Sequence, residues 1–411
     1  MAEVKSEQKR LPGVLDGIRI VEYGVFHAGP GGNAILGDLG ADIVKIETFA
    51  GDPERYWTRV AGSDFSKKNS ESLIFDASNR NKKSVCIDIK QPKGREIFEQ
   101  LIKGADVFMT NLRKSTKAKM GLDYDSIAKL NPNIVYASVS GYGTEGPMND
   151  LGAFDPLGSA RSGMMFVAGS QEPQLLHIGI LDQTTAITVS HAILTALLDR
   201  ERRGVGQEVH ISLYTTALWM QYMNFMIACV FDINPCVLGD RTQHSPMRNR
   251  FRCKNDTWIF GTHHPEEKYW PTFCKAAGQS ALLEDSRYTG ESGGPINYPE
   301  LNAILDDVFA TKTANEWMEI FLPHGLMFCA VQNILDVKTD PQALANHFMV
   351  PFEHPIQGSI QIPAYPISFS ESYAGTRSMG PSLGEHTDSV LNELGYSDQD
   401  IENFKQEGIV K

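Results

Sequence analysis

The sequence predicts an α/β protein: an open, parallel, Rossmann-like sheet forms a large domain, and a smaller α+β domain interrupts the chain. Strand and helix patterns alternate from residue 18 to residue 139, which is typical of a parallel sheet. A length of 411 residues allows two or three domains. We expect residues 1–225, completed by 340–411, to form the large domain, and residues 226–339 to form the small domain with its linkers.

The elements of the large sheet follow in chain order. A strand at 18–23 comes after Gly17 and leads through a glycine-rich turn and a short helix to a second strand at 43–47. The alternation continues with strands at 84–89, 107–110, 134–139 and 208–213, and with helices at 92–103 and 124–130. Sheets of this kind bind ligands beyond the carboxyl ends of their strands.

The glycine-rich turn has a second interpretation. Gly29, Gly31 and Ala34 match the dinucleotide-binding pattern G-x-G-x-x-A, and Glu47 ends the next strand. However, the match starts six residues after the strand, and Pro30 stiffens the turn that should approach a pyrophosphate. We therefore do not favour a nicotinamide or flavin site.

The longest helical pattern begins at about Asp182 and ends at the Arg202-Arg203-Gly204 stop signal. An aspartate at a helix start commonly caps the free backbone N–H groups of the first turn. The alternative is a carboxylate that the same N–H groups and the helix dipole hold charged in an apolar setting, where it acts as a nucleophile. The residues around Asp182 leave both interpretations open.

Charge is distributed unevenly along the chain. The formal net charge is −12, which argues against a nucleic-acid or anionic-membrane partner. Between residues 79 and 120, however, the chain has eleven basic residues and only four acidic ones. Several of them, Lys82, Lys83, Lys90, Arg113 and Lys119, lie at or near predicted strand ends or in the loops that follow. This pattern predicts a site for a polyanionic, phosphorylated small molecule.

Other function classes find little support. The polar start, 1–10, has no signal-peptide pattern, and the longest nearly apolar run, 217–231, is too short for a membrane span. The six cysteines form no C-x-x-C pair, which favours a reducing, cytoplasmic setting. Spacings typical of metal ligands are absent from the sequence, so we expect no metal site.

The second half of the chain is less regular. A helix is predicted at 214–231, and its methionines and aromatic rings suit a core or subunit contact, or alternatively an acyl pocket. Residues 232–256, including the basic run at 248–252, are predicted to be loop. The small domain should contain strands at 257–261 and 328–331 and helices at 265–277, 298–309 and 313–321, and a further helix is predicted at 340–346. Prolines after residue 349 predict extended excursions, and a last helix is predicted at 397–406.

Motifs spread over nearly the whole chain resemble the family III CoA-transferases. They are Leu15-Asp16-Gly17-Ile18-Arg19-Ile20-Val21-Glu22, Ala28-Gly29-Pro30, Leu39-Gly40-Ala41-Asp42-Ile43-Val44-Lys45-Ile46-Glu47, Gly51-Asp52-Pro53, Asn81-Lys82-Lys83-Ser84, Ser140-Gly141-Tyr142-Gly143, Gly204-Val205-Gly206-Gln207, Gly384-Glu385-His386-Thr387 and Leu394-Gly395-Tyr396-Ser397. Each motif is modest alone, but their order along the chain is specific.

The resemblance implies an enzyme whose substrates are acyl-CoA and a small carboxylic acid, with no tightly bound cofactor. It implies that Asp182 is the covalent nucleophile and that Asp155 lies beside the thioester. The implied CoA contacts are His27, Ile87, Lys90, Asn111, Lys119 and Met120, with Arg113 as a neighbour that can reach a phosphate. It further implies an interlocked homodimer. Thr48 and Gly152 replace basic residues of formyl-CoA transferase, and its glycine-run lid is missing between 231 and 255.

Three function classes remain at this stage. The regions around Asn81, Phe154 and Asp182 look closest to the phenyllactate and 2-hydroxyisocaproate CoA-transferases, which predicts a 2-hydroxy acid as acceptor. The 2-methylacyl-CoA racemases share the fold but need a histidine where this chain has Phe154, a residue that cannot exchange a proton. A non-catalytic CoA-binding protein is the third class.

Overall fold

The computed structural model of the protein describes residues 11–60, 62–176, 179–236 and 239–411. Residues 1–10 of the predicted large domain, and residues 237 and 238 of the predicted 232–256 loop, lie outside this description. The chain divides into two compact units: 1–168, 172–235 and 347–411 in the first, and 169–171 and 236–346 in the second.

A six-stranded parallel sheet forms the centre of the first unit. The strands up to residue 212 are β1 (Arg19–Tyr23), β2 (Asp42–Glu47), β3 (Arg59–Val60), β4 (Ser63–Asp64), β5 (Lys82–Cys86), β6 (Val107–Thr110), β7 (Val135–Ser140) and β8 (Gln207–Ser212). The sheet has the order β5-β2-β1-β6-β7-β8, and β3 pairs only with β4. The chain direction across the sheet reverses between β1 and β6, which places a topological switch point there. The predicted open parallel sheet is confirmed.

Helices cover both faces of this sheet. Those before residue 232 are α1 (Pro30–Asp38), α2 (Leu73–Asn79), α3 (Pro92–Lys103), α4 (Lys114–Met120), α5 (Tyr124–Leu130), α6 (Asp155–Arg161), α7 (Ile180–Arg203), α8 (Leu213–Met220) and α9 (Tyr222–Phe231). One core joins α1 and α7 to the sheet through Leu36, Val189 and Ile193. The other joins α3 and α5 to the opposite face through Phe98 and Ile127.

The glycines after β1 serve helix packing. A Cβ atom on Gly32 would lie 2.6 Å from Val189 Cγ1, and one on Gly31 would lie 3.1 Å from the Ala186 side chain. Such distances are too short for a larger residue, so the glycines allow α1 to approach α7. This close packing gives the G-x-G-x-x-A match a structural explanation.

The second unit is a small α+β body around a cluster of aromatic rings. Its elements are β9 (Arg248–Arg252), β10 (Trp258–Thr262), α10 (Glu266–Ala276), α11 (Ala281–Glu284), α12 (Tyr298–Phe309), α13 (Ala314–Phe321), β11 (Phe328–Ala330) and α14 (Pro341–Ala345). The prediction that the basic run at 248–252 is loop was wrong. Its arginines are exposed, but Asn249 and Phe251 between them are buried, which is the alternation of a half-buried strand.

The structure differs from the sequence prediction at two further places. The predicted 214–231 helix is broken at Gln221 into α8 and α9. The predicted excursions after residue 349 contain a hairpin of β12 (Met349–His354) and β13 (Gly358–Pro363), a two-stranded sheet whose free edges tolerate proline. The last helices, α15 (Thr387–Glu393) and α16 (Asp398–Gln406), pack Val390, Leu391 and Phe404 into the core of the first unit.

Candidate functional site

The start of α7 holds the predicted nucleophile. Asp182 is the third residue of this helix, which begins after Gly179 in the left-handed conformation with φ 61°. The free N–H groups of Leu181 and Asp182 both donate to Asp155 Oδ2, at 2.7 and 3.1 Å. Asp155, which lies at the start of α6 and not in α7 itself, therefore caps the amino end of α7. The interpretation of Asp182 as the helix cap was wrong.

The Asp182 carboxylate itself makes no hydrogen bond to any of the described residues. Burial, together with the negative charge of Asp155, raises the pKa of Asp182 to about 7. The expectation that the helix start keeps this carboxylate ionised was wrong, because Asp155 occupies the N–H groups that would have done so. Near neutral pH, Asp182 therefore exchanges between the acid and a carboxylate more basic than an ordinary aspartate.

A cavity of about 820 Å³ opens beside Asp182. Phe26, Phe154 and Leu213 contribute apolar walls, and Arg113 and Lys117 contribute positive charge. The lining also contains the carboxylates Asp123, Asp125, Glu145 and Glu208, so the cavity combines apolar walls with charged groups of both signs beside Asp182.

The loop after β1 brings an aromatic wall to this cavity. Asn111 holds the loop, because its side-chain amide accepts from Val25 N at 3.0 Å and donates to Val25 O at 2.6 Å. Phe26, with φ 59°, packs edge-on against Trp57 and Phe154. Asn111, predicted as a CoA contact, therefore has a clear structural role in shaping the loop.

His27 connects this loop to the start of α7. Its Nε2 lies 2.8 Å from Gln183 Oε1, and its Nδ1 lies 2.7 Å from Ser78 Oγ. Burial lowers the pKa of His27 to about 4, so the ring is neutral at physiological pH. Both ring nitrogens are engaged by neighbours on α7 and α2.

The basic residues divide into a paired group and an unpaired group. Five of those between 79 and 120 form ion pairs: Arg80, Lys82, Lys83, Lys93 and Arg95. Within the described ranges, Lys90, Arg113 and Lys119 have no carboxylate partner within 4.0 Å. The expectation that Lys82 and Lys83 lie near a ligand was wrong, since they begin β5 at its amino end and are used in internal ion pairs.

The remaining predicted CoA contacts lie at the carboxyl edge of the sheet or under it. Lys90 follows β5 and is exposed, and Lys119 lies exposed in the last turn of α4. Met120 is half-buried and packs against the core. The Ile87 side chain is fully buried in that core, so it offers no side-chain surface to a ligand.

A buried charge cluster, missed by the sequence prediction, lies beneath the loop after β1. We define it as Glu22, Glu47, Asp52, Lys45, Lys82 and Arg55. Lys45 Nζ lies 2.9 Å from both Glu22 and Asp52, and Arg55 donates twice to Glu47. The available signal was weak: charged residues at Lys45 and Glu47 inside an otherwise apolar strand.

Two classes of site find no counterpart in the part of the chain that the structure describes. No group of three or more His, Cys, Asp and Glu side chains is arranged to hold a metal ion there. Nor does any described helix combine the length and apolar character that crossing a bilayer requires.

Comparison with known proteins gives one consistent assignment. The model of "CoA-transferase family III" matches residues 15–387. The (R)-2-hydroxy-4-methylpentanoate CoA-transferase of Clostridioides difficile is 31% identical, covering 97% of this chain and 100% of its own. The succinyl-CoA:glutarate CoA-transferase of Mus musculus is 30% identical, covering 97% and 90%.

The fold agrees with this assignment. The crystal structure of a CAIB/BAIF family protein from Brucella suis superimposes with a TM-score of 0.80 at 25% identity, covering 93% of this chain and 100% of that one. The chain is an enzyme of the CoA-transferase class, and it belongs to the CoA-transferase family III.

Proposed function

We propose that this protein moves CoA from an acyl-CoA donor to a free carboxylic acid, with Asp182 as the covalent nucleophile. The observation that carries the proposal is a carboxylate without a hydrogen-bond partner among the described residues, which borders a partly apolar cavity and has its pKa raised to about 7. A carboxylate of higher pKa is a stronger nucleophile and still loses its proton near neutral pH.

The reaction proceeds through two activated intermediates. An Asp182 oxygen attacks the thioester carbonyl, the carbon–sulfur bond breaks, and CoA leaves as the thiolate, giving a mixed anhydride. The thiolate attacks the aspartyl carbonyl, which releases the donor acid and leaves an aspartyl-CoA thioester. The acceptor carboxylate then attacks this thioester and the same steps run in reverse, restoring Asp182. Water would destroy either intermediate, so the apolar walls at Phe26 and Phe154 are part of the chemistry.

The unpaired cations are proposed to bind the CoA phosphates. Lys90 and Lys119 are exposed beyond the carboxyl ends of β5 and β6, and Arg113 borders the cavity that Asp182 borders. Ligands of doubly wound sheets bind at this edge. Cations without a carboxylate partner are available to phosphate, whereas Lys82 and Lys83 are not.

The proposed acceptor is a 2-hydroxy acid. This rests on the likeness to a 2-hydroxy-4-methylpentanoate CoA-transferase and on a cavity that offers both aromatic rings and polar groups. A panel of 2-hydroxy-4-methylpentanoate, its 2-deoxy analogue 4-methylpentanoate, and glutarate tests it. We expect the hydroxy acid to give the highest kcat/KM; a preference for glutarate would assign the chain to dicarboxylic acids.

Mass spectrometry of the protein after incubation with acyl-CoA alone tests the mechanism. We expect a CoA-sized adduct on the peptide that contains Asp182, removed by hydroxylamine and absent from Asp182→Asn. A racemase would instead exchange the α-proton with solvent deuterium without forming this adduct. In this chain Phe154, which stacks edge-on with Phe26, cannot act as the proton acceptor that a racemase needs. Thermal stabilisation by CoA without an adduct or turnover would indicate a binding protein.

We also propose a homodimer in the cytoplasm. Helices α8 and α9 expose large apolar side chains: Trp219, Tyr222, Met223, Phe225, Met226, Val230 and Phe231. An apolar surface of this extent on a soluble chain marks a protein contact. All six cysteines are free, which suits a reducing compartment. Light scattering should give twice the 45.5 kDa chain mass, and Met223→Asp with Val230→Asp should produce monomers.

A further inference from the structure

The cavity wall beside the proposed nucleophile contains three cationic side chains that differ in what they contact. Lys114 Nζ donates to Thr144 O at 3.3 Å, and Lys117 Nζ donates to Ser138 Oγ at 2.5 Å. Arg113, which lines the same cavity, makes no hydrogen bond with any described residue and has no carboxylate among them within 4.0 Å. The guanidinium N–H groups of Arg113 are therefore available to a ligand.

Gly152 determines where this guanidinium lies. A Cβ atom on Gly152 would lie 2.6 Å from Arg113 Nη2 and 3.2 Å from both Nε and Cζ. Real Cβ atoms do not approach another atom as closely as the first distance, so the guanidinium can pack against the backbone of residue 152 only because that residue has no side chain. Gly152 lines the cavity together with Arg113. The glycine thus provides the space that the arginine occupies at the cavity wall.

The loop that carries Gly152 is attached to the start of α4, the helix that follows the arginine. Ser115 N, in the first turn of α4, donates to Asp150 Oδ1 at 2.8 Å. The Lys114–Thr144 contact is a second attachment between the same two segments. These contacts hold the loop against the helix start, so the fold itself sets the position of the glycine relative to the guanidinium.

We propose that Gly152 is a positioning residue for substrate binding: it leaves room for the Arg113 guanidinium at the cavity wall, where that group binds the diphosphate of CoA. The planar fork of a guanidinium matches two oxygens of a phosphate. In CoA the diphosphate lies between the sulfur arm and the 3′-phosphate. Arg113 lines the cavity that Asp182 lines, whereas Lys90 and Lys119 do not line it. The cation that shares a cavity with the nucleophile should therefore meet the phosphates closer to the sulfur. The proposal rests on the function proposed above and adds to it a residue and a choice of phosphate.

A methyl group at residue 152 should displace the guanidinium without damage to the fold. The atoms that it would meet belong to the end of a flexible side chain, which can move at little cost. In Gly152→Ala we therefore expect the melting temperature to stay close to that of the wild type, and CoA to bind about threefold more weakly. Calorimetric titration of the full chain with CoA at low ionic strength measures the affinity. Wild-type affinity in Gly152→Ala would overturn the positioning role.

A rescue experiment separates the charge at this place from the residue that carries it. Arg113→Ala should weaken CoA binding by about tenfold, because a charged hydrogen-bond donor is lost. A side chain on residue 152 would point into the space that this variant vacates. Adding Gly152→Lys to Arg113→Ala should therefore restore most of the affinity, whereas adding Gly152→Met, a side chain of similar length without charge, should not. Equal affinities in the two double variants would contradict the proposal.

The choice of phosphate is tested with 3′-dephospho-CoA, which keeps the diphosphate. Arg113→Ala should weaken the binding of CoA and of 3′-dephospho-CoA by the same factor. A loss that disappears with 3′-dephospho-CoA would assign Arg113 to the 3′-phosphate and overturn the proposal, as would unchanged affinity for both ligands. Because these titrations need no turnover, a wild type that binds CoA but forms no adduct on Asp182 would reject the proposed function alone.

Discussion

Two buried regions of the first unit treat carboxylates in opposite ways. In the buried charge cluster, every carboxylate has a cation within 3.0 Å: Lys45 pairs with both Glu22 and Asp52, and Lys82 also pairs with Glu22. At the start of α7, the half-buried Asp182 lies beside another carboxylate, the buried Asp155, and has no cation partner among the described residues. Burying charge without a partner destabilises a fold. The comparison indicates that carboxylates paired with cations stabilise the fold, whereas the unpaired Asp182 carboxylate is free to react.

Replacing Asp182 by asparagine should have the largest effect. The substitution keeps the shape but removes the nucleophile, so kcat should fall by about 10⁴-fold or more. Initial rates of CoA transfer measure the loss, and retained acyl-CoA binding shows that the site is intact. A variant with more than a tenth of wild-type activity would place the nucleophile elsewhere.

The same variant should be more stable than the wild type at alkaline pH. The pKa of Asp182 is raised from 3.8 to about 7 in the folded protein, so its stabilising contribution is fully present below pH 3.8 and is lost as pH rises through 7. Asparagine cannot ionise and escapes this loss. Melting temperatures at pH 5 and pH 8 should therefore differ less in Asp182→Asn than in the wild type.

Removing a cation from the buried charge cluster should lower the free energy of unfolding. Lys45→Met leaves Glu22 and Asp52 each short of a partner, and should cost about 3–5 kcal/mol of unfolding free energy. Urea denaturation at pH 7 measures it. Lys93→Met is the matched control, because the exposed Lys93–Glu96 pair should contribute less than about 1 kcal/mol. Equal losses in the two variants would mean that burial does not distinguish the cluster.

The sequence predicted the elements around the start of α7 better than it predicted the buried charge cluster. The open sheet and the helices at 92–103, 124–130 and 298–309 follow from local patterns of apolar residues, and the structure confirms them. Asp182 was singled out because it begins a long helical pattern, and its role as the nucleophile stays a prediction. That Asp155, rather than Asp182, caps α7 could not be predicted, because the two residues are far apart in sequence and meet only when α6 packs on α7.

The buried charge cluster shows the same limit. Lys82 and Lys83 are neighbours in sequence, yet one is fully buried and the other reaches Asp42 and Glu393 near the surface. Alternation along β5 points the two side chains to opposite faces, but which of these faces is buried depends on residues from other parts of the chain. A run of positive charge therefore did not distinguish ligand-binding lysines from structural ones.

Asp155→Asn should shift the pH dependence of the reaction. Because the Asp182 carboxylate is the reactive form, kcat/KM should rise with pH through about 7 in the wild type. Asparagine removes the negative charge but keeps an oxygen for the N–H groups of α7, so the pKa of Asp182 should fall by roughly one unit. The pH profile of kcat/KM measures it. An unchanged midpoint would show that burial alone sets the pKa of Asp182.

The smallest effect on activity is expected for the exposed cations at the carboxyl edge of the sheet. Lys119→Met should raise KM for acyl-CoA by about threefold to tenfold with little change in kcat, because an exposed cation–phosphate contact stabilises bound substrate and transition state equally, by about 1 kcal/mol.

The substrate itself offers the sharpest control: if Lys119 binds the 3′-phosphate, the difference between variant and wild type should disappear with a 3′-dephospho-acyl-CoA. Lys90→Met, tested in parallel, shows which of the two lysines meets that phosphate. Lys93→Met should leave KM unchanged, since Glu96 already neutralises Lys93. An equal rise in KM from Lys93→Met would mean that general positive charge, rather than the unpaired cations, attracts CoA.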